Sequence, residues 1–336
     1  MISPEQYRAL HAGAGLIDRS DRGRLRLTGA DRRDYLQGLL TNDVLALQPG
    51  AGCYAALLNA QGRMLADMYV AETGDEVWMD LERSSAAPVA AHLDRFIFSE
   101  DVQVSDESDR TVQLGLFGPE AAGLVARVLG VTDEAGGLGT LAAMHSRRLA
   151  LGGTQVLLIR RDDVGVAGFD LIADASAGDS LRAALLDAGA VAVDPEIAEV
   201  ARVEAGIPRY GIDMTEDTIP LEAGIEDRAI SQTKGCYVGQ EIIIRVLHRG
   251  HGRVARRLVG LTLEPAAVVP ARGDRIRSGE REIGSVTSAV SSPALGRPLA
   301  LGYVHRDFTA PETVVAIATG DAVQPAVVTT LPLRSA

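Results

Sequence analysis

A change of rhythm near Gly252 constrains this 336-residue chain more than any other feature. Beyond it, apolar segments at 259–263, 282–288, 300–304, 313–318 and 326–330 are parted at short intervals by Pro, Gly and Asp. Short apolar runs between frequent turn signals predict a separate antiparallel β-barrel or sandwich. Before Gly252, strands and helices are mixed. Ser3 and Pro4 open a helix over 4–10, and strands are predicted at 24–27, 54–58, 64–70 and 76–81. Asp31 is predicted to cap a helix with Tyr35, Leu36, Leu39 and Leu40 on one face, and a further helix is predicted over 88–98. The pattern then restarts, with a strand at 112–117, a helix at 119–129, a glycine loop at 136–139, strands at 155–159 and 169–173, and helices at 180–188 and 195–205. Strands and helices without a regular βαβ alternation predict an α+β fold rather than a doubly wound sheet. The regions expected are 1–108, 109–251 and 252–336.

Composition sets the broad class. Apolar residues make up 46% and charged residues 23%, enough for a large core. A net charge of −12 argues against binding duplex nucleic acid or an anionic membrane, since both call for a positive surface. No run of about 18 apolar residues occurs, and the first residues lack a signal-peptide layout, so a cytoplasmic protein is expected. Its two cysteines, Cys53 and Cys236, are then expected to be free thiols. Of 33 basic residues only Lys234 is a lysine. Arginine cannot replace lysine where a compact ammonium is needed.

That lysine begins the most distinctive stretch, Lys234-Gly235-Cys236-Tyr237-Val238-Gly239-Gln240-Glu241. Gly235 and Gly239 bracket a Cys-Tyr pair just before an apolar run, which predicts a loop leading into a helix. A thiol beside a cation and a helix N-terminus has its thiolate favoured, so Cys236 with Lys234 is a candidate reactive group.

These residues resemble the hallmark of the YgfZ family, folate-binding relatives of the glycine-cleavage T-protein aminomethyltransferase. Arg202 to Pro208 with Tyr210-Gly211, Pro220 to Gly224, Thr41-Asn42-Asp43-Val44 and Tyr54 to Asn59 extend the likeness over most of the chain. The resemblance implies two interwoven α+β domains and a C-terminal β-barrel that together bind tetrahydrofolate. It implies a function in maturing or repairing iron–sulfur enzymes, with iron–sulfur client enzymes or assembly proteins as partners. Cys236 would then hold a cluster transiently, since one thiolate supplies one ligand. Asp170, Tyr54, Arg202, Glu204 and Tyr210 become candidate folate contacts.

Some positions depart from the T-protein pattern. Its Asp-Asp pair is Ala66-Asp67 here, its pterin-side tyrosine is Asp163, and Ala198 and Asp80 stand where it has arginine and asparagine. Asp67 alone is left as a proton acceptor. These losses set the iron–sulfur accessory role first, with a folate-dependent one-carbon transferase relying on Asp67 as the alternative. Cys236, His248 and His251 offer three soft ligands without a fourth, so no permanent metal site is expected. Between Arg245 and Arg281 nine arginines face three acids, Glu264, Asp274 and Glu280. This patch reads either as a solvated barrel face or as a surface for folate's glutamate tail or an acidic partner.

Overall fold

The computed structural model describes residues 2–131, 137–249, 252–320 and 322–333, except for the side chains of 248 and 249. Gly136 of the expected glycine loop and His251 lie outside the described residues, as does the side chain of His248. Two compact units are present. The first comprises Met1–Leu58, Leu65–Ile197 and Arg228–Val238, and the second Asn59–Met64, Ala198–Asp227 and Gly239–Ala336.

The first unit contains two sheets. The chain begins with α1 (Pro4–Ala12), where Ser3 Oγ accepts from the Gln6 N–H at 3.4 Å. After β1 (Gly15–Asp18) it builds β2 (Gly23–Thr28), α2 (Arg32–Leu39), β3 (Gly52–Leu58), β4 (Met64–Glu72), β5 (Val77–Leu81), α3 (Arg83–Asp94) and β6 (Gln103–Asp106). Strands β2 to β6 form a five-stranded sheet in the order β3-β4-β5-β2-β6. The chain then returns to β1 with β7 (Thr111–Phe117), α4 (Ala121–Leu129), β8 (Ser146–Leu151), β9 (Thr154–Arg161), β10 (Gly168–Asp174), α5 (Gly178–Asp187) and β11 (Val191–Ala192). The second sheet runs β11-β1-β7-β10-β9-β8, so the N-terminal strand lies inside a sheet whose other members follow ninety or more residues later. That is the interweaving. The α+β class holds.

Each sheet turns one face to helices. Leu25, Leu27, Met68, Met79 and Leu81 pack with Leu36 and Leu39 of α2 and Val89 and Leu93 of α3. Leu114, Leu116, Leu158, Phe169 and Leu171 pack with Leu124 and Val125 of α4 and Leu181 and Leu185 of α5. The helix expected over 88–98 starts earlier, at Arg83, and carries Pro88 in its interior. Burial of Ala86, Val89 and Leu93 at helical spacing outweighs proline's preference for a first turn.

In the second unit α6 (Pro195–Glu204), α7 (Pro220–Ala223), α8 (Glu226–Ala229) and α9 (Gln240–Ile244) lead to the barrel, α6 and α8 each beginning or ending in the first unit. Strands β12 (Arg256–Leu263), β13 (Arg275–Ser278), β14 (Arg281–Ser292), β15 (Arg297–His305), β16 (Val314–Thr319) and β17 (Ala322–Thr329) close it in the order β12-β15-β14-β13-β16-β17. Val259, Leu261, Ile276, Val286, Val304, Ile317 and Val328 fill the interior. Strand β13 has no apolar run to announce it. Only Ile276 of its four residues points inward, between two arginines.

Candidate active site

In strands β2, β4 and β5 alternate residues leave the helix-covered core for the opposite face. Arg24, Asp67, Tyr69 and Asp80 lie there, with Tyr69 and Arg24 both opposite Asp80 in the pairing. The second sheet places Gln113, Arg161 and Asp170 on its corresponding face. These two polar faces meet. Arg161 bonds Asp170 Oδ2 through Nε at 3.0 Å and makes a short ion pair with Asp80 through Nη2. Gln113 Nε2 donates to Asp170 at 2.9 Å and to Asp80 at 3.1 Å. Arg19 grips Asp163 with both terminal nitrogens, and Arg24, fully buried, donates to Thr111, Gln113 and the Ser108 carbonyl. Buried charges of this kind persist only when paired and hydrogen-bonded. Beside them Ala71, Leu157, Ile159 and Ile172 form an apolar plug with Trp78. The cavity left between the sheets measures about 10 Å³, room for about one water.

At the margin of this network sits Asp67. It is half-buried on β4, and its Oδ2 accepts from the Tyr54 hydroxyl at 2.5 Å. Burial pushes its carboxyl up to about 6, against the hydrogen bond from Tyr54 and the charge of Arg22. The Tyr54 and Tyr69 rings lie 5.0 Å apart, with the Arg161 guanidinium 3.8 Å from the Tyr69 centroid and that of Arg228 5.2 Å from the Tyr54 centroid. Local chemistry fixes this corner. The Asn42 amide donates to the Tyr54 and Arg228 carbonyls, and the Thr41 hydroxyl donates to the Ala229 carbonyl at 2.6 Å, so the Thr41-Asn42 pair ties the 228–229 segment to β3.

Of the carboxylates the family resemblance directs to a pterin, Asp170 is wholly buried. Its Oδ2 is taken by Arg161 and Gln113, and its Oδ1 lies 3.4 Å from Arg19 without a hydrogen bond. Burial raises its carboxyl against the charges of Arg19 and Arg161. Asp163 is opposite: despite burial, Arg19 holds it well below the usual carboxylate range. Asp170 is thus enclosed between the sheets with one oxygen held by Arg161 and Gln113, whereas Asp67 is half-buried beside the Tyr54 and Tyr69 rings and exposed Arg228. Tyr69, Arg161 and Arg228 were not picked out from the sequence. Tyr69 carried a signal, since it stands two residues beyond Asp67 on one strand face.

The Lys234 ammonium donates to the carbonyls of Gln37 (2.6 Å), Leu40 (2.6 Å) and Asn42 (3.0 Å), at the C-terminal end of α2. Burial lowers Lys234 to about 8, and the ammonium also lies 5.2 Å from the Tyr237 ring centroid. Its charge is felt by the other thiol, Cys53, which burial pushes up to about 12. Cys236 is exposed. Lys234 thus acts on the carbonyls of α2, where a cation opposes the negative end of the helix dipole. Gly235 follows it in the loop, and Gly239 takes a φ of +84° as the cap residue before Gln240 and Glu241 open α9.

The remaining candidates belong to the second unit. Arg202 bonds Asp213 at 2.7 Å and Ser288 at 2.8 Å and pairs with Glu199, while Glu204 accepts from the Ser292 hydroxyl. Both are buried and attach α6 to the barrel. Tyr210 donates to the Met64 carbonyl at 3.3 Å. Among the described residues no group of three or more His, Cys, Asp and Glu side chains is arranged to hold a metal.

Residues 2–234 match the GCVT N-terminal domain, and residues 256–333 match the glycine cleavage T-protein C-terminal barrel domain. The chain belongs to the glycine-cleavage T-protein family. It is 34% identical over 304 residues to an aminomethyltransferase of Synechococcus sp., covering 90% of this chain and 82% of that one. To an aminomethyltransferase of Thermus thermophilus it is 32% identical over 308 residues, covering 91% and 84%. The crystal structure of glycine cleavage system aminomethyltransferase T from Bartonella henselae shares its fold, with a TM-score of 0.88 at 24% identity over 98% of this chain and 89% of that one. No helix among the described residues is long and apolar enough to cross a membrane.

Proposed function

We propose that this T-protein relative is a tetrahydrofolate-dependent one-carbon transferase that takes an aminomethyl-type carbon from an amine donor. The observation that carries the reading is Asp67, half-buried, hydrogen-bonded to Tyr54 and raised to about 6. Tetrahydrofolate would supply a nucleophilic ring nitrogen that accepts the carbon. A carboxylate near 6 is mostly ionised at pH 7 yet still basic enough to take a proton from a reacting amine. Buried Tyr54 orients it, the half-buried Tyr69 ring lies beside it, and exposed Arg228 offers a cation at the rim. Two free cysteines support a reducing, cytoplasmic location. The aminomethyltransferases among its relatives support the reaction class.

The test is titration of tetrahydrofolate into wild type and Asp67→Asn, and then, with an aminomethyl donor added, following formation of methylene-tetrahydrofolate and release of ammonia for both. Loss of a catalytic base should lower the rate by about 10²-fold or more with folate affinity largely kept. The wild-type rate should rise with pH through an inflection near 6, the value to which burial brings Asp67. A rate unchanged by Asp67→Asn would reject the assignment.

Exposed Cys236 favours a second reading, a folate-binding accessory factor for iron–sulfur enzymes with a transiently thiolate-bound cluster. Cys236→Ala should then abolish support of iron–sulfur client enzymes and leave folate transfer untouched. If transfer is absent from the wild type and client support is lost in Cys236→Ala, this reading replaces the first.

A further inference from the structure

Arg253, Arg257 and Arg306 line a cleft on the barrel unit that the one-carbon chemistry does not use. We propose that this cleft binds a small polyanion carrying two or more carboxylate or phosphate groups. Its volume is about 420 Å³, and among the described residues Gly252, Val254, Asp307 and Thr309 also line it. That volume falls in the range of small-molecule pockets. Among the described residues the lining thus holds three arginines and one carboxylate, with Glu226 paired to Arg257 behind it, on a chain whose net charge is −12. Such a local reversal of sign concentrates anions that the rest of the surface repels.

The walls are held together by the fold. Arg256 stands opposite His305 in the β12–β15 pairing, and the Arg306 N–H donates to the Ala255 carbonyl at 3.1 Å. Residues 252–257 and 306–309 are therefore fixed side by side. Most guanidinium donors remain unspent. Arg257 uses Nη2 on Glu226 at 2.9 Å, and Arg306 comes no nearer than 3.8 Å to Asp307 through Nε. Asp307 is itself shared with His305, at 3.3 Å. Arg253 is exposed and has no hydrogen-bond or ion-pair partner among the described residues. Planar forks of N–H donors match carboxylate and phosphate oxygens in pairs, and several converging forks call for more than one anionic group. The proposal is independent of the one-carbon reaction.

Calorimetric titration of inorganic pyrophosphate and, separately, of a triglutamate peptide into the full chain tests it. At least one probe should bind in the submillimolar range, more weakly as KCl is raised. Arg253→Ala combined with Arg306→Ala should weaken that binding by about tenfold or more. Arg275→Ala, which removes an arginine paired with Glu282 on another part of the barrel, should leave it unchanged. Pyrophosphate alone would mark a phosphate site and triglutamate alone a site for linked carboxylates. Arg253 and Arg306 are exposed, so thermal unfolding of the double variant should match wild type. If neither probe binds, or if the double variant binds as wild type does, the proposal is overturned.

Discussion

An ammonium directs three N–H donors in a pyramid, while a guanidinium spreads its donors in a plane. Lys234 meets three carbonyls with that pyramid, at 2.6, 2.6 and 3.0 Å. This explains why a chain that otherwise uses arginine for every basic residue keeps one lysine. Lys234→Arg should leave at least one carbonyl without a partner and cost about 1–3 kcal/mol, read from urea denaturation. A variant as stable as wild type would remove the geometric argument. Asp67 makes the opposite case, a residue held at some cost. Its native carboxyl keeps its proton to about 6 while an unfolded one titrates near 3.9, so the native state binds more protons between these values. Stability from this group therefore falls as pH rises through that window. The Asp67→Asn protein should accordingly melt at a higher temperature than wild type at pH 8, although it transfers less.

At the scale of elements, the two-residue period of a strand lets each sheet carry an apolar face and a charged one. Arg161 is the pivot where those charged faces meet, bonding Asp80 and Asp170 from opposite sheets with side-chain exposures of 1%, 4% and 0%. Removing one member of a buried ion pair leaves the others uncompensated. Arg161→Ala should thus cost about 3–5 kcal/mol, measured by chemical denaturation, far more than an exposed pair such as Arg83 with Asp109. A loss below about 1 kcal/mol would mean that solvent reaches the layer and replaces the lost partner.

For the molecule as a whole, connectivity matters more than any one contact. Strand β1 pairs with β7 and with β11, although β2 to β6 of the other sheet come between them in sequence. A chain beginning at residue 19 lacks α1 and β1 and leaves both neighbouring strands with open edges. It should show exposed hydrophobic surface and rapid proteolysis of the second sheet. Native-like resistance would show that β1 is dispensable.

Periodicity and turn chemistry, both local, were enough to predict the α+β class, the β-rich C-terminal region and most helices. Glycine spacing also marked the 234–241 segment as a loop, whereas Asp67 and Tyr54 stood out only through the resemblance to the T-protein family. Strand β13 escaped because a barrel strand with one inward residue has no periodic signal. The pairing of Asp170 with Arg161 and Gln113, and the attachment of Lys234 to α2, join residues 9 to 197 positions apart. Such contacts depend on which sheet faces which. The sequence by itself determined which residues carry charge, a thiol or a ring, and which strand face each occupies. Only the tertiary structure decided that Asp170 is enclosed while Asp67 stays half-exposed, because burial and partner choice arise when distant segments pack together.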